Sequence, residues 1–235
     1  MKANRSVRRI IGVFLAGVLV AGLVALTITP APAEEPLKQQ VLVDQARITF
    51  KNFIADPDMT WFRDNLKDAK GLLIVPELYK GAFIVGGAWG NGVLLKKDEK
   101  TGAWIGPAFY SLGTASLGLQ IGGQKSEVIN MVMSQKALDS LYTSSFKVGG
   151  ETSAAMGPVG AGARGNIKAD FISFMRSKGA FIGFSLDGAA VNTKEKWNQA
   201  YYGKTVTPID ILVKSSVSNP KSADLQKDLA EATKK

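Results

Sequence analysis

The chain has 235 residues, 29 basic and 20 acidic, for a formal charge of +9, and it contains neither histidine nor cysteine. Those absences exclude disulfides, thiolate or imidazole metal ligands, and any catalytic apparatus built on a cysteine nucleophile or a histidine base. Less the four basic residues of a predicted N-terminal export signal the charge falls to +5, too modest for a nucleic-acid protein and better suited to an anionic surface such as lipid headgroups than to DNA.

Residues 1–33 have the layout of an export signal. Lys2, Arg5, Arg8 and Arg9 precede 19 uncharged, mostly apolar residues from Ile10 to Ile28, and Ala31-Pro32-Ala33 supplies a small-x-small cleavage site. Cleavage after Ala33 is expected, giving a periplasmic or secreted protein. The alternative is an uncleaved inner-membrane anchor, because 19 such residues also suffice to span a bilayer. Without residues 1–33, which hold four basic and no acidic side chains, the charge is +5 on a single expected domain of 202 residues.

Glycine divides that domain. All 22 glycines beyond residue 33 fall between Gly71 and Gly203. A glycine inside a helix costs about 1 kcal/mol relative to alanine, so residues 34–70 and 204–235 are expected to be helical and 71–203 mostly sheet. Over 36–54, Val43, Ala46, Phe50, Phe53 and Ile54 share one helical face, and Leu37, Val41 and Ile48 form a second stripe on the other side. Asp56-Pro57 reads as an N-cap with proline at the first helical position, opening a helix with Trp61, Phe62 and Leu66.

Beyond Gly71, short apolar runs separated by turn residues predict an antiparallel meander. Residues 98–102, DEKTG, form a hairpin loop. Ser134 is expected to cap a helix over 135–142, and Thr193 one that closes at Gly203. Thr207-Pro208 opens another short helix, and Asn219-Pro220 a last, polar one expected to be peripheral and frayed. The sequence KGAFI occurs twice, at Lys80 and Lys178, and suggests two equivalent strands with their lysines at one rim. Glycines within strands mark bulges, sharp bends or close backbone approach, as in a sheet that curves strongly. The predicted class is α+β: a curved, largely antiparallel, glycine-rich sheet with N-terminal helices and short inserted and C-terminal helices.

The run GLLIVPELYKGAFIVGGAWGNGVLLKKDEKTGAWIGPAFYSLGTASLGLQIGGQKSEVI, followed by ETSAAMGPVG, SKGAFIGFSLDGAAV and NQAYYG, resembles the SYLF domain family over residues 41–213. The resemblance implies a phospholipid-binding module. Eukaryotic members also bind actin and recognise phosphoinositides through an amphipathic N-terminal region. The export signal makes cytoplasmic phosphoinositides and actin poor candidates here, so the expected partner is anionic phospholipid or a membrane surface. The runner-up is an unidentified protein partner in the cell envelope. No cofactor, metal or nucleic acid is expected.

A membrane contact needs apolar insertion beside cations. The candidates are Arg47, Lys51, Arg63, Lys67 and Lys70 from the N-terminal helices, with Lys80, Arg176 and Lys178 around the repeated motif. Tyr79, Trp89 and Trp104 could mark the interface level, and a cupped sheet could instead enclose an acyl chain. Other motifs are weak. Residues 160–165 match G-x-G-x-x-G but lead into an expected strand, not a helix. Ser144 with Lys147 and Ser218 with Lys221 have S-x-x-K spacing without its companion motifs. Asp56 and Asp58 read as a cap, so catalysis is not expected.

Overall fold

A computed structural model describes residues 37–82, 86–116, 122–182 and 184–234. The predicted signal in residues 1–33, with Phe83 and Ile84 of the first KGAFI, lies outside that set. The helices are α1 (Lys38–Ala55), α2 (Thr60–Asn65), α3 (Gln135–Ser140), α4 (Glu195–Tyr202), α5 (Pro208–Leu212) and α6 (Ala223–Ala232). The strands are β1 (Gly71–Ala82), β2 (Gly86–Lys97), β3 (Trp104–Ser116), β4 (Gly122–Val132), β5 (Ser145–Lys147), β6 (Ala154–Met156), β7 (Phe171–Ser177), β8 (Ala180–Ile182) and β9 (Ala190–Thr193).

The strands build one curled sheet in the order β5-β9-β3-β2-β1-β4-β7-β6, with β8 on the far end of β7. Among the described residues only the β6–β7 pairing is parallel. The predicted α+β class holds, but the simple meander does not. β4 pairs with β1 and not with β3, so β4-β1-β2-β3 has the strand order of a Greek key.

Alternation along these strands gives the sheet two apolar faces, each covered. On one, Leu72, Ile74, Val93 and Leu95 pack beneath α1 and α2 through Phe50, Phe53 and Phe62, together with Leu225 and Leu229 of α6. On the other, Leu73, Val75, Leu94 and Val128 pack against Leu138 of α3 and Ile211 and Leu212 of α5. The space an enclosed acyl chain would need on this second face is therefore filled by side chains.

A β-bulge in β1 explains several strand glycines. Ile74 pairs with Val93 and Glu77 with Asn91, so β1 carries one residue more than β2 across this interval, and β4 shows the matching shift. Pro76 sits there, which is where a central strand tolerates proline. The displaced backbone crowds β2: a Cβ on Gly92 would lie 2.7 Å from the Ile74 carbonyl oxygen, and one on Gly90 2.5 Å from that of Glu77. The bulge also resets the alternation, so Glu77 and Tyr79 face α1 while Leu78 enters the second core.

Several local expectations hold. Ser134 caps α3 through its side chain, Thr207 and Asp210 form a capping box on α5, Asp56 caps the turn before α2, and Gly203 ends α4 at φ 71°. Others are corrected. Thr193 is the last residue of β9, not a cap, and its hydroxyl donates to the Thr143 carbonyl while Lys194 precedes α4. The two KGAFI segments are not equivalent. Lys80 lies within β1, whereas Lys178 (φ 50°) and Gly179 (φ 80°) form the two-residue turn between β7 and β8. The C-terminal helix is not peripheral. Leu225 and Leu229, one turn apart, are buried, and Arg47 of α1 reaches both Asp224 and Asp228 at 2.6 Å.

Candidate functional site

α1 lies across the sheet with its Val43–Phe50 face buried, and its other stripe remains in solvent. Leu37 is 52% exposed, Val41 38% and Ile48 59%. The opposite face of the helix already makes the packing contacts with the sheet, so this stripe is apolar surface left open to an interaction. Lys38 and Lys51 are exposed on the same helix.

Between this helix and the end of the sheet runs a groove of about 570 Å³ lined by Ile48, Asn52, Glu77, Lys125, Arg176 and Lys178, among others. Its carboxylates are internally committed. Glu127 accepts from Thr49 Oγ1 at 3.1 Å, Asn52 Nδ2 at 3.2 Å and Arg176 Nη1 at 3.1 Å. Glu77 accepts from Gln45, Lys125 and Tyr79. Burial pushes the Glu77 carboxyl up, but hydrogen bonds from Lys125, Tyr79 and Gln45 outweigh it and hold the group below its usual range, hence ionised. The same contact raises the Lys125 ammonium and the Tyr79 phenol, so both remain protonated donors.

The eight cations expected to bind lipid separate into different situations. Arg47 ties α1 to α6. Arg63 donates to the carbonyls of Ile54, Asp56 and Pro57 and so closes the end of α1. Lys70 pairs with Glu99, and Arg176 with Glu127. Lys80 is half-buried, its ammonium 5.6 Å from the Phe184 ring centroid, and burial lowers its pKa. Lys51, Lys67 and Lys178 are exposed.

Nor do the eight share one surface. Lys70 hydrogen-bonds into the end of the sheet where β1 begins, through Val132 and Lys97. Lys80 and the Lys178 turn lie at the other end, since Lys80 pairs with Gln124 and Ser126 with Ser177. Ten strand residues separate Lys70 from Lys80, roughly 30 Å. Of the three aromatic candidates, Trp104 is buried at 4%, whereas Trp89 is 58% and Tyr79 42% exposed. Sequence reasoning missed Lys125 and Glu127 as site residues. Proline in a strand was the available signal that the alternation shifts at residue 76.

Among the described residues no group of three or more histidines, cysteines or carboxylates could hold a metal ion, and no helix is long and apolar enough to cross a membrane. A covered sheet that leaves a helix stripe, an aromatic pair and a polar groove open on one side defines a binding module. The family model described as Ysc84, Las17-binding protein actin regulator, matches residues 113–232. The chain belongs to that family, the one whose SYLF domain its sequence resembles.

Among curated relatives, protein YSC84 of Saccharomyces cerevisiae is 30% identical over 167 residues, 68% of this chain and 35% of the relative. LAS seventeen-binding protein 3 of the same yeast is 31% identical over 157 residues, 63% of this chain and 34% of the relative. The bovine SH3 domain-containing YSC84-like protein 1 is 25% identical over 201 residues, 83% of this chain and 58% of the relative. The chain thus spans about a third of the length of the yeast relatives. No solved structure matches it.

Proposed function

We propose that this protein is an exported, non-enzymatic module that binds anionic phospholipid at a membrane surface through the open side of α1. The observation that carries the reading is the Leu37, Val41 and Ile48 stripe, exposed although the opposite face of the helix is fully docked. Apolar side chains at that position insert at the headgroup level, and Lys51 on the same helix with Lys178 beside Ile48 across the groove supply attraction to phosphate. Lys67 and Lys70, at the far end of the sheet, take no part. Residues 1–33 support export to the periplasm or the exterior, or retention as an inner-membrane anchor. The N-terminal residue of protein recovered from cells decides between these.

The test is flotation of residues 34–235 with neutral vesicles or vesicles rich in anionic lipid. Wild type is expected to float with the anionic vesicles only, less at higher salt because exposed charges are screened within about 10 Å at 0.1 M. Ile48→Asp, Lys51→Glu and Lys178→Glu are each expected to weaken capture, the reversals on the order of tenfold each. Lys67→Glu is expected to leave it nearly unchanged. Loss of capture on Lys67→Glu with none on Lys51→Glu would overturn the assignment of the surface.

A second reading follows from the family description and from relatives named for binding Las17: the same open side receives a protein. Absence of the chain from both vesicle fractions, with a specific partner retained on the wild type and lost on Ile48→Asp, would favour it.

A further inference from the structure

Next to the membrane-facing stripe is a second, smaller cleft of about 210 Å³, lined by Lys38, Leu42, Gln45, Glu77, Tyr79, Trp89, Asn91 and Trp197, with Gly90 at its floor. This volume is below the roughly 300–1,000 Å³ of sites that take drug-sized ligands. It accommodates a single small ring.

Its walls form an ordered block. Glu77 pairs with Asn91 and Tyr79 with Trp89 across β1 and β2, so two polar side chains stand beside two aromatic ones on one sheet face. The Tyr79 and Trp89 rings are stacked, 6.4 Å between centroids and 25° between planes, although Trp89 is 58% and Tyr79 42% exposed. The Tyr79 ring is held by its hydroxyl, and the Trp89 ring lies over a glycine. The Tyr79 hydroxyl donates to Glu77, itself fixed by Gln45 and Lys125. The six-membered ring of Trp89 reaches over Gly81, where a Cβ would lie 3.3 Å from Cη2. Trp197 supplies a third aromatic wall.

The surrounding charges narrow the ligand. A cationic ligand would meet Lys38 on the wall. An anion would meet the ionised Glu77. The Asn91 amide makes no side-chain hydrogen bond among the described residues, so it retains two donors and an acceptor for a hydroxyl-bearing neighbour. Aromatic faces with a free amide at their edge match the two sides of a pyranose ring, apolar C–H on its face and hydroxyls around its rim.

We propose that the cleft between α1, the β1–β2 pair and Trp197 binds a neutral pyranose unit of a glycan, independently of the membrane contact. The sugar ring lies against Trp89 and Tyr79, and Asn91 takes its hydroxyls.

The test is tryptophan fluorescence of residues 34–235 titrated with cellotetraose, chitotetraose, mannitol as an acyclic polyol, and a decaproline peptide. Trp61 and Trp104 are buried, so a ligand-induced change reports Trp89 and Trp197. A saturable change with one of the tetrasaccharides and none with mannitol is expected. It should be abolished by Trp89→Ala, retained in part by Trp89→Phe when followed by calorimetry, and weakened about five- to tenfold by Asn91→Ala. Asn91→Ala should float with anionic vesicles as wild type does, which separates failure of this cleft from failure of the lipid reading. Unchanged melting temperatures confirm that the variants fold. No saturable change with either tetrasaccharide at tens of millimolar, a change that persists in Trp89→Ala, or a response to decaproline alone would overturn the proposal.

Discussion

Leu229→Ala tests whether the C-terminal helix belongs to the core. Leu229 is fully buried in the cluster that contains Trp104, Phe109 and Tyr201, and Leu225 one turn earlier is 1% exposed. Truncating a fully buried leucine removes its transfer free energy and leaves a cavity, together about 2–5 kcal/mol. For a domain of about 200 residues each kcal/mol shifts the melting temperature by roughly 2–4 °C. A loss of about 3 kcal/mol therefore lowers it by some 6–12 °C. Thermal unfolding followed by circular dichroism provides the measurement, with Ile209→Ala, at a residue 41% exposed, as a surface control expected to move by little. A Leu229→Ala melting temperature no lower than that of the control would refute the reasoning and restore the frayed helix that the polar sequence suggests.

Two further predictions concern the sheet and its acid stability. Gly92→Ala places a Cβ 2.7 Å from the Ile74 carbonyl oxygen and 2.8 Å from Val75 Cγ2, while Gly113 has nothing within 4 Å. Gly92→Ala is expected to destabilise by about 1–3 kcal/mol through overpacking. Gly113→Ala is expected to be neutral or to stabilise by up to about 1 kcal/mol by restricting the unfolded chain. Urea midpoints in the reverse order would contradict the close approach at the bulge. Asp170 is held below its ordinary pKa of 3.8 by the Ser134 hydroxyl and then by the Ser153 amide, with burial opposing. A depressed carboxyl contributes stability that is complete above its unfolded pKa and is lost as pH falls through the folded value. Asp170→Asn should be less stable than wild type at pH 7, and the gap between the two melting curves should begin to narrow only as pH falls below about 4. A gap that is constant with pH would show that the carboxylate charge is not what matters.

The helical flanks, the glycine-rich sheet and most caps were legible because each depends on local chemistry: glycine's cost in helices, Asp56-Pro57, Ser134, and Thr207-Pro208. What was hidden depends on distant partners. Leu225 and Leu229 look like two leucines in a charged tail until α1 and β3 are placed against them. Thr193 resembles a cap but belongs to a strand, because pairing with Tyr110 extends β9 that far. The cations were read as a basic surface from their place on the N-terminal helices and around the repeated KGAFI motif. Arg47, Lys70 and Arg176 each find a carboxylate brought close by the fold, whereas the acceptors of Arg63 lie within nine residues of it. The exposed stripe of Leu37, Val41 and Ile48 was visible from helical spacing, whereas the Trp89 and Tyr79 pair required the β1–β2 register.

The bulge at Val75-Pro76 makes β1 two reading frames spliced by one residue. Upstream of it, even-numbered positions face α1; downstream, odd-numbered ones do, and both flanking strands enforce the change. Length can therefore vary at the splice without disturbing what lies beyond it, since losing the extra residue regularises the strand and leaves Glu77 opposite Asn91. The same loss two positions later would send Tyr79 through to the opposite side of the sheet and bring Lys80 up in its place. Which side chains reach the open surface is set by the position of a single surplus residue.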